Sequence, residues 1–290
     1  MSILLKGAPV SASITAANRE KVLSLESRGV HPVLAIVRLG EKSGDLSYEK
    51  GAVKKCSDAG IKVRKTVLPE NAGEEEVENA VSALADDPGV HGILLLRPLP
   101  RSLDEQKIVG LIPPEKDVDG CTPLSLAGVF TGSGTGFPPC TAESVIRILD
   151  YYNIGITGKK AVVIGRSLVI GRPAAMMLMQ RNATVTVCHT KTADVASEAQ
   201  KADILVCASG KMESIGGSYL SAGQTVIDVG IGWNEKKQKL CGDVLFEEAS
   251  GIAEALTPVP GGVGAVTSAV LASHVTEAAE KSLTKEVSHH

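Results

Sequence analysis

The feature that most constrains this chain is its repeated alternation of short apolar runs with amphipathic stretches. Val33–Val37, Ile61–Leu68 and Val90–Leu96 read as strands. Leu46–Ala59 and Glu74–Leu84 carry helical spacing between them; Gly60 closes the first, and acidic residues open the second. Helices interleaved with near-continuous apolar strands predict parallel α/β layers rather than a bundle or a sandwich. The rhythm stops at Pro113–Thr141, a stretch rich in Gly, Pro, Ser and Thr that includes Gly132-Ser133-Gly134-Thr135-Gly136. A loop of that length is usually functional or a connection between domains.

A second alternation follows: helix Glu143–Tyr152, strand Ala161–Ile164, helix Pro173–Arg181, strand Thr184–Cys188, helix Ala193–Lys201, then strands Ile204–Ala208 and Thr225–Val229. This order predicts a doubly wound, Rossmann-like domain. The last helix, about Ala265–Leu283, is long enough to pack back on the first domain. At about 150 residues per domain, 290 residues suggest two. The expected division is 1–140 plus 270–290 for one and 141–269 for the other.

Composition removes several classes. Lys+Arg number 30 against 33 Asp+Glu, a net charge of −3 with no long basic run, which argues against a nucleic-acid partner. The apolar runs fall short of the ~20 residues that span a bilayer, and Lys6 interrupts any early signal-peptide pattern. The cysteines at 56, 121, 140, 188, 207 and 241 form no CxxC and no paired His site, so no metal site is expected and reduced, cytoplasmic thiols are.

The segment from Ala161 to Pro173 reads strand, glycine turn, helix start. Gly165 lets the chain leave the strand tightly, Gly171 permits a close approach of backbone or phosphate, and Pro173 suits a first helical turn. The free N–H groups of that helix face a place for a pyrophosphate. This is not GxGxxG, and an ordinary strand–turn–helix is the alternative. After the next strand, Cys188-His189-Thr190-Lys191-Thr192 supplies no carboxylate for a ribose 2′-OH. Arg166, Thr190 and Lys191 instead suit a 2′-phosphate, which favours NADP over NAD.

With these residues in view, the chain resembles the methylenetetrahydrofolate dehydrogenase/cyclohydrolase family over nearly its whole length. Glu115-Lys116-Asp117-Val118-Asp119-Gly120, the turn Gly165-Arg166-Ser167 with Gly171 and Pro173, Gly242-Asp243-Val244, and Thr257-Pro258-Val259-Pro260-Gly261-Gly262-Val263-Gly264 match that family's strings in order. The resemblance implies a folate-binding catalytic domain and an NADP-binding domain in a subunit that is usually a homodimer. It implies oxidation of 5,10-methylenetetrahydrofolate to the methenyl form, which many members then hydrolyse to 10-formyltetrahydrofolate. Carried over by position, Tyr48 matches the tyrosine that packs on the folate ring and Asp119 the aspartate that binds the pterin. Pro260, Gly261, Gly262 and Val263 match the loop lining the folate cleft. Gly165, Arg166, Ser167, Thr190 and Ile231 match cofactor-contacting positions. Ala265 replaces the usual proline of the last string.

Two departures fall together. The family's cyclohydrolase lysine, four residues after the tyrosine, is Ala52, and the glutamine that adjusts it is Leu96. Lys50 lies roughly 160° around the helix from Tyr48, and Lys54 about 120° off and ~9 Å along it, so neither copies the missing geometry. Lys50, Lys54 and Lys55 read as a solvated face. Strand alternation is expected to send Arg97 away from the face of Leu96. Hydride loss needs positioning, whereas hydrolysis needs acid–base work suited to a lysine. The expectation is therefore a working dehydrogenase with cyclohydrolase weak or absent. The alternatives are a fully bifunctional enzyme, a silent folate- or NADP-binding regulator, and a dehydrogenase for another small substrate.

Overall fold

The structure is a computed structural model that describes residues 2–287, with side chains to 283; residue 1 and residues 288–290, at the ends of the expected first domain, lie outside the described residues. In chain order the elements are β1 (Ile3–Leu4), α1 (Gly7–Glu26), β2 (Val33–Leu39), α2 (Ser43–Ala59), β3 (Lys62–Leu68), α3 (Glu74–Asp86) and β4 (Gly92–Leu95). Three helices follow: α4 (Glu105–Val109), α5 (Pro123–Thr131) and α6 (Cys140–Tyr151). The chain continues through β5 (Lys160–Ile164), α7 (Gly171–Gln180), β6 (Thr184–Cys188), α8 (Val195–Gln200), β7 (Ile204–Cys207) and β8 (Thr225–Asp228). It ends with β9 (Gly232–Asn234), β10 (Lys239–Cys241), α9 (Phe246–Ile252), β11 (Ala255–Leu256) and α10 (Thr267–Val287).

Two compact α/β units result, one of residues 12–140 and 268–290, the other of 1–11 and 141–267. The first is built on a three-stranded parallel sheet in the order β3-β2-β4. Val33–Leu39 is buried at every position, which suits a central strand covered on both faces. Its one charged residue, Arg38, is satisfied by a 2.8 Å hydrogen bond from Nε to Glu49 of α2, and Lys65 of β3 reaches the same carboxylate at 2.7 Å. β3 is an edge strand, with exposed and half-buried positions and none fully buried. Val77 and Val81 of α3 close one side of this core with Ile93, Leu95 and Ile108.

The second unit holds a six-stranded parallel sheet in the order β1-β11-β8-β7-β5-β6. β7 and β8 are buried throughout, and β5 except at Lys160. β6, at the edge, keeps three of its five residues exposed. Residues 1–11, expected with the first domain, belong here, because Ile3 and Leu4 pair in parallel with Ala255 and Leu256.

Other parts of the chain also depart from the sequence reading, among them the short elements α4, β9, β10, α9 and β11, for which it gave no expectation. The stretch from Pro113 to Thr141 is not one loop, since it contains α5, whose start is set by Thr122 capping the Ser125 N–H and by Pro123 in the first turn. α1, 20 residues long, carries no clear apolar stripe and was not anticipated. Among the described residues no helix is long and apolar enough to cross a membrane.

Candidate functional site

In the three-stranded unit, Tyr48 stands in the second turn of α2, and its hydroxyl donates to Asp119 Oδ1 at 3.1 Å. Asp119 sits on a turn that the neighbouring acid builds. Asp117 is fully buried, and its two carboxylate oxygens accept the N–H groups of Cys121 at 3.0 Å and Thr122 at 2.8 Å. Gly120 closes this turn at φ +67°, and a Cβ there would fall 2.4 Å from the Pro138 carbonyl carbon, so no other residue fits. From α10, His274 Nδ1 lies 2.8 Å from the Val118 carbonyl oxygen, which fixes the turn from the other side. Asp117 and His274 were not singled out in the sequence. The EKDVDG string contained the first of them, but nothing in a string marks Asp117 rather than Asp119 as the acid that folds the turn.

Burial shapes the chemistry of this pair. It pushes the Asp119 carboxyl up to about 6, against the lowering effect of the Arg97 charge. Burial, then the Asp119 charge, raises the Tyr48 phenol well above its usual range, so Tyr48 acts as a neutral donor.

Ala52 and Leu96 are both buried, with 0% and 4% exposure, and bring no polar atom. Lys54 points to solvent, where it pairs with Asp58 one turn on at 3.1 Å, and Lys50 is exposed. Arg97 does not turn away. β4 ends at Leu95, so strict alternation no longer governs two residues later, and the Arg97 guanidinium approaches Asp119 Oδ2 at 3.9 Å and Glu105 Oε1 at 3.6 Å. The expectation for Arg97 is thus corrected. Beside Tyr48 and Asp119 the chain thus presents the cation of Arg97, while Ala52 and Leu96 stay apolar and buried.

In the six-stranded unit, Gly165, Arg166 and Ser167 leave the carboxyl end of β5, and Gly171 opens α7. Gly165 takes φ +124°, and a Cβ there would lie 2.1 Å from the Ala208 carbonyl oxygen of the strand beside it. A Cβ on Gly171 would lie 2.2 Å from the Gly165 carbonyl oxygen. The close approach expected at Gly171 is therefore made by the turn's own backbone. Ser167 Oγ accepts the Ile170 N–H at 3.1 Å and shapes the same turn.

Thr190 follows the neighbouring strand β6, and Ile231, 63% exposed, follows β8. Arg166, Thr190 and Lys191 are exposed, and among the described residues their side chains make no hydrogen bond. The next acid in sequence, Asp194, is committed to capping α8 through the Ser197 N–H at 2.9 Å. Cation and hydroxyl donors without a competing carboxylate fit a dinucleotide that carries an extra phosphate.

Pro260, Gly261, Gly262 and Val263 lie in the connection between β11 and α10, with Val263 buried. The Gly261 carbonyl accepts the Gly7 N–H at 2.8 Å, and a Cβ on Gly7 would lie 2.1 Å from the Gly262 carbonyl oxygen. Gly7, which the sequence reading passed over, thus sets the course of this loop by backbone contact.

Comparison with known proteins gives a consistent result. The family described as tetrahydrofolate dehydrogenase/cyclohydrolase matches twice, its catalytic domain at residues 5–119 and its NAD(P)-binding domain at 139–283. The bifunctional protein FolD of Clostridium kluyveri is 45% identical over 278 residues, covering 96% of this chain and 98% of its own. That of Clostridioides difficile is 43% identical over 275 residues, covering 95% and 96%. Among solved structures, the bifunctional methylenetetrahydrofolate dehydrogenase/cyclohydrolase of Campylobacter jejuni superposes with a TM-score of 0.94 at 38% identity, covering 97% of this chain and 99% of its own. The Trypanosoma brucei dehydrogenase–cyclohydrolase, complexed with NADP cofactor and inhibitor, gives 0.91 at 32% identity, covering 97% and 98%.

Proposed function

Since the chain belongs to the tetrahydrofolate dehydrogenase/cyclohydrolase family, we propose that it oxidises 5,10-methylenetetrahydrofolate to 5,10-methenyltetrahydrofolate with NADP as acceptor. The observation that carries this is the Tyr48–Asp119 pair, a flat side chain hydrogen-bonded at 3.1 Å to a partly buried carboxylate. A carboxylate can accept two hydrogen bonds from an aminopyrimidine edge, and a tyrosine offers an apolar face with a polar tip. When bound, the nicotinamide accepts a hydride from the bridge carbon. The folate nitrogens supply the electron pair that expels it, so the protein's part is to hold the donor carbon in place.

In this reading Tyr48, Asp119, Pro260, Gly261, Gly262 and Val263 serve the folate, and Gly165, Arg166, Ser167, Gly171, Thr190 and Ile231 serve the cofactor. A homodimer and a cytoplasmic location belong to the same proposal; light scattering on the purified chain checks the first.

On hydrolysis of the methenyl bridge the supports diverge. The curated relatives are named bifunctional, and they favour a fully bifunctional enzyme over one confined to oxidation. The second reading, a dehydrogenase with little cyclohydrolase, is carried by the apolar, buried Ala52 and Leu96 and by the outward course of Lys54. One assay separates them. The purified enzyme is mixed with methylenetetrahydrofolate and NADP, and reduced nicotinamide and methenyl absorbance are followed separately. Transient methenyl absorbance that decays under enzyme control establishes bifunctionality; lasting accumulation establishes the dehydrogenase alone. No reduction of either NADP or NAD overturns the proposal in favour of a binding protein.

A further inference from the structure

The side chain of Arg97 has no place in the function as described so far. Its Nε is buried and has no hydrogen-bond partner. Among the described residues its terminal nitrogens make two ion-pair contacts, at 3.6 Å to Glu105 and 3.9 Å to Asp119, both beyond hydrogen-bonding distance. A guanidinium carries five N–H donors, and leaving them unmet in a half-buried position is costly. Its partners are themselves engaged. Glu105 Oε2 accepts the Leu99 N–H at 2.8 Å, and Asp119 Oδ1 accepts the Tyr48 hydroxyl at 3.1 Å. The side chain is 22% exposed, so part of the guanidinium is reachable from outside, and one end of it lies 3.9 Å from the carboxylate that Tyr48 also meets.

The setting argues that this is no accident of a decaying site. Ala52 and Leu96 are apolar together, yet the residue next to Leu96 turns a fixed cation toward the one carboxylate that the folate reading needs.

We propose that Arg97 is a substrate-binding residue, which donates its guanidinium N–H groups to a carbonyl-type acceptor of the folate and holds Asp119 in register for the aminopyrimidine edge. This rests on the folate reading above. The planar fork of a guanidinium suits a flat heterocyclic carbonyl and fixes orientation as well as affinity. It has no lone pair with which to take a proton, so its work is binding and orientation, not base catalysis. The other groups around Asp119 are Tyr48, Cys121, Asp117 and His274; Arg97 is the larger of the two positive influences on its carboxylate and makes an ion-pair contact with it.

Three variants test this: Arg97→Leu, Arg97→Gln and Arg97→Lys. Tetrahydrofolate binding is read by calorimetry without turnover, alongside KM and kcat for methylenetetrahydrofolate and KM for NADP. Arg97→Leu is expected to weaken tetrahydrofolate at least 10-fold and raise the folate KM in parallel, with the NADP KM within twofold. Arg97→Gln, which keeps donors but no charge, is expected to fall between. Arg97→Lys, which keeps the charge but not the fork, should retain the wild-type acid limb of kcat/KM while binding folate more weakly. In the uncharged variants that limb should move to higher pH. If Arg97→Leu does not fold, the Gln and Lys variants carry the same comparison. Tetrahydrofolate affinity within twofold of wild type in the folded variants overturns the role of Arg97. A wild-type protein that binds tetrahydrofolate but oxidises no methylene form overturns the proposed function instead and leaves the binding comparison readable.

Discussion

The hydroxyl of Tyr48 and the carboxylate of Asp119, 71 residues apart in sequence, meet at 3.1 Å in the three-stranded unit. The bond ties α2 to the turn between α4 and α5, so the flat side chain and the acceptor are presented as one surface. Tyr48→Phe keeps the face and removes the bond. A hydrogen bond to a charged group is worth about 1.5–3 kcal/mol, which corresponds to roughly 10- to 100-fold in affinity. Folate KM should rise by that amount with little change in NADP binding, and steady-state kinetics with each substrate varied in turn checks it. A rise in the NADP KM of equal size would show that the substitution had disturbed more than this pair.

Asp119 titrates near 6, above its ordinary 3.8, because burial disfavours its charge. It can accept the donors of a pterin edge only when ionised, so kcat/KM for the folate should fall as pH drops through about 6. Stability runs the opposite way. A carboxyl raised on folding contributes stability that is fully present below about 3.8 and lost as pH rises through about 6. Asp119→Asn should therefore abolish the acid limb and lower folate affinity, while its melting temperature gains on wild type between pH 4 and pH 7. Parallel pH profiles of activity and of thermal unfolding check both signs. An unchanged acid limb in the variant would remove Asp119 from the role.

Gly165 combines φ +124° with a neighbouring carbonyl oxygen 2.1 Å from any added Cβ. Gly165→Ala must shift either its own turn or the strand end at Ala208, and both lie at the cofactor end of the sheet. NADP binding should fall by more than 10-fold while tetrahydrofolate binding, which in the proposed reading rests mainly on Tyr48 and Asp119 of the other unit, stays near wild type. Fluorescence titration with NADPH and calorimetry with tetrahydrofolate separate the two effects.

How far the sequence revealed these features depended on how local they were. Strands such as β2 and β7 are apolar runs buried on both faces, and they announced themselves. The turn between β5 and α7 was readable because glycine, serine and proline act within nine residues of one another. α5 was hidden in a stretch whose composition reads as loop, although Thr122-Pro123 is a start signal in plain view. Arg97 was assigned to the wrong side because strand alternation was carried past Leu95, where the strand stops. The Tyr48–Asp119 contact joins distant segments, so only the family resemblance pointed to it, and no string could show that Asp117 folds the turn that Asp119 uses.

Arg166 is exposed at the end of β5 and makes no side-chain hydrogen bond among the described residues, with Thr190 just past the neighbouring β6. If it serves the 2′-phosphate of NADP, Arg166→Ala should raise the NADP KM by roughly 10- to 100-fold, the worth of one charge-assisted hydrogen bond. The NAD KM, with no such phosphate, should change by less than about twofold, since no contact of that strength is lost. The ratio of the two kcat/KM values is the measurement, and equal losses with both cofactors would place Arg166 elsewhere.

Asp228 ends β8 in the buried interior of the six-stranded unit, where its carboxylate accepts the N–H groups of Gly230, Asp243 and Val244, each at 3.0 Å. These three bonds hold the strand end against the Gly242-Asp243-Val244 string, and a Cβ on Gly242 would lie 1.9 Å from Asp228 Oδ2, so the fit tolerates little. Asp228→Ala leaves three buried donors without an acceptor. At about 1–3 kcal/mol for each unsatisfied group, partly relieved by water entering the gap, the loss should be on the order of 3 kcal/mol or more. Asp228→Asn presents an amide N–H to donors and should also destabilise, though less. Ile231 lies three residues on, so this end of the sheet should loosen before the whole unit unfolds, and hydrogen exchange at residues 229–232 and 242–244 should rise ahead of that at β5 and β7. Equal exchange at both places, or a melting temperature unchanged from wild type, would show that Asp228 is not the clasp.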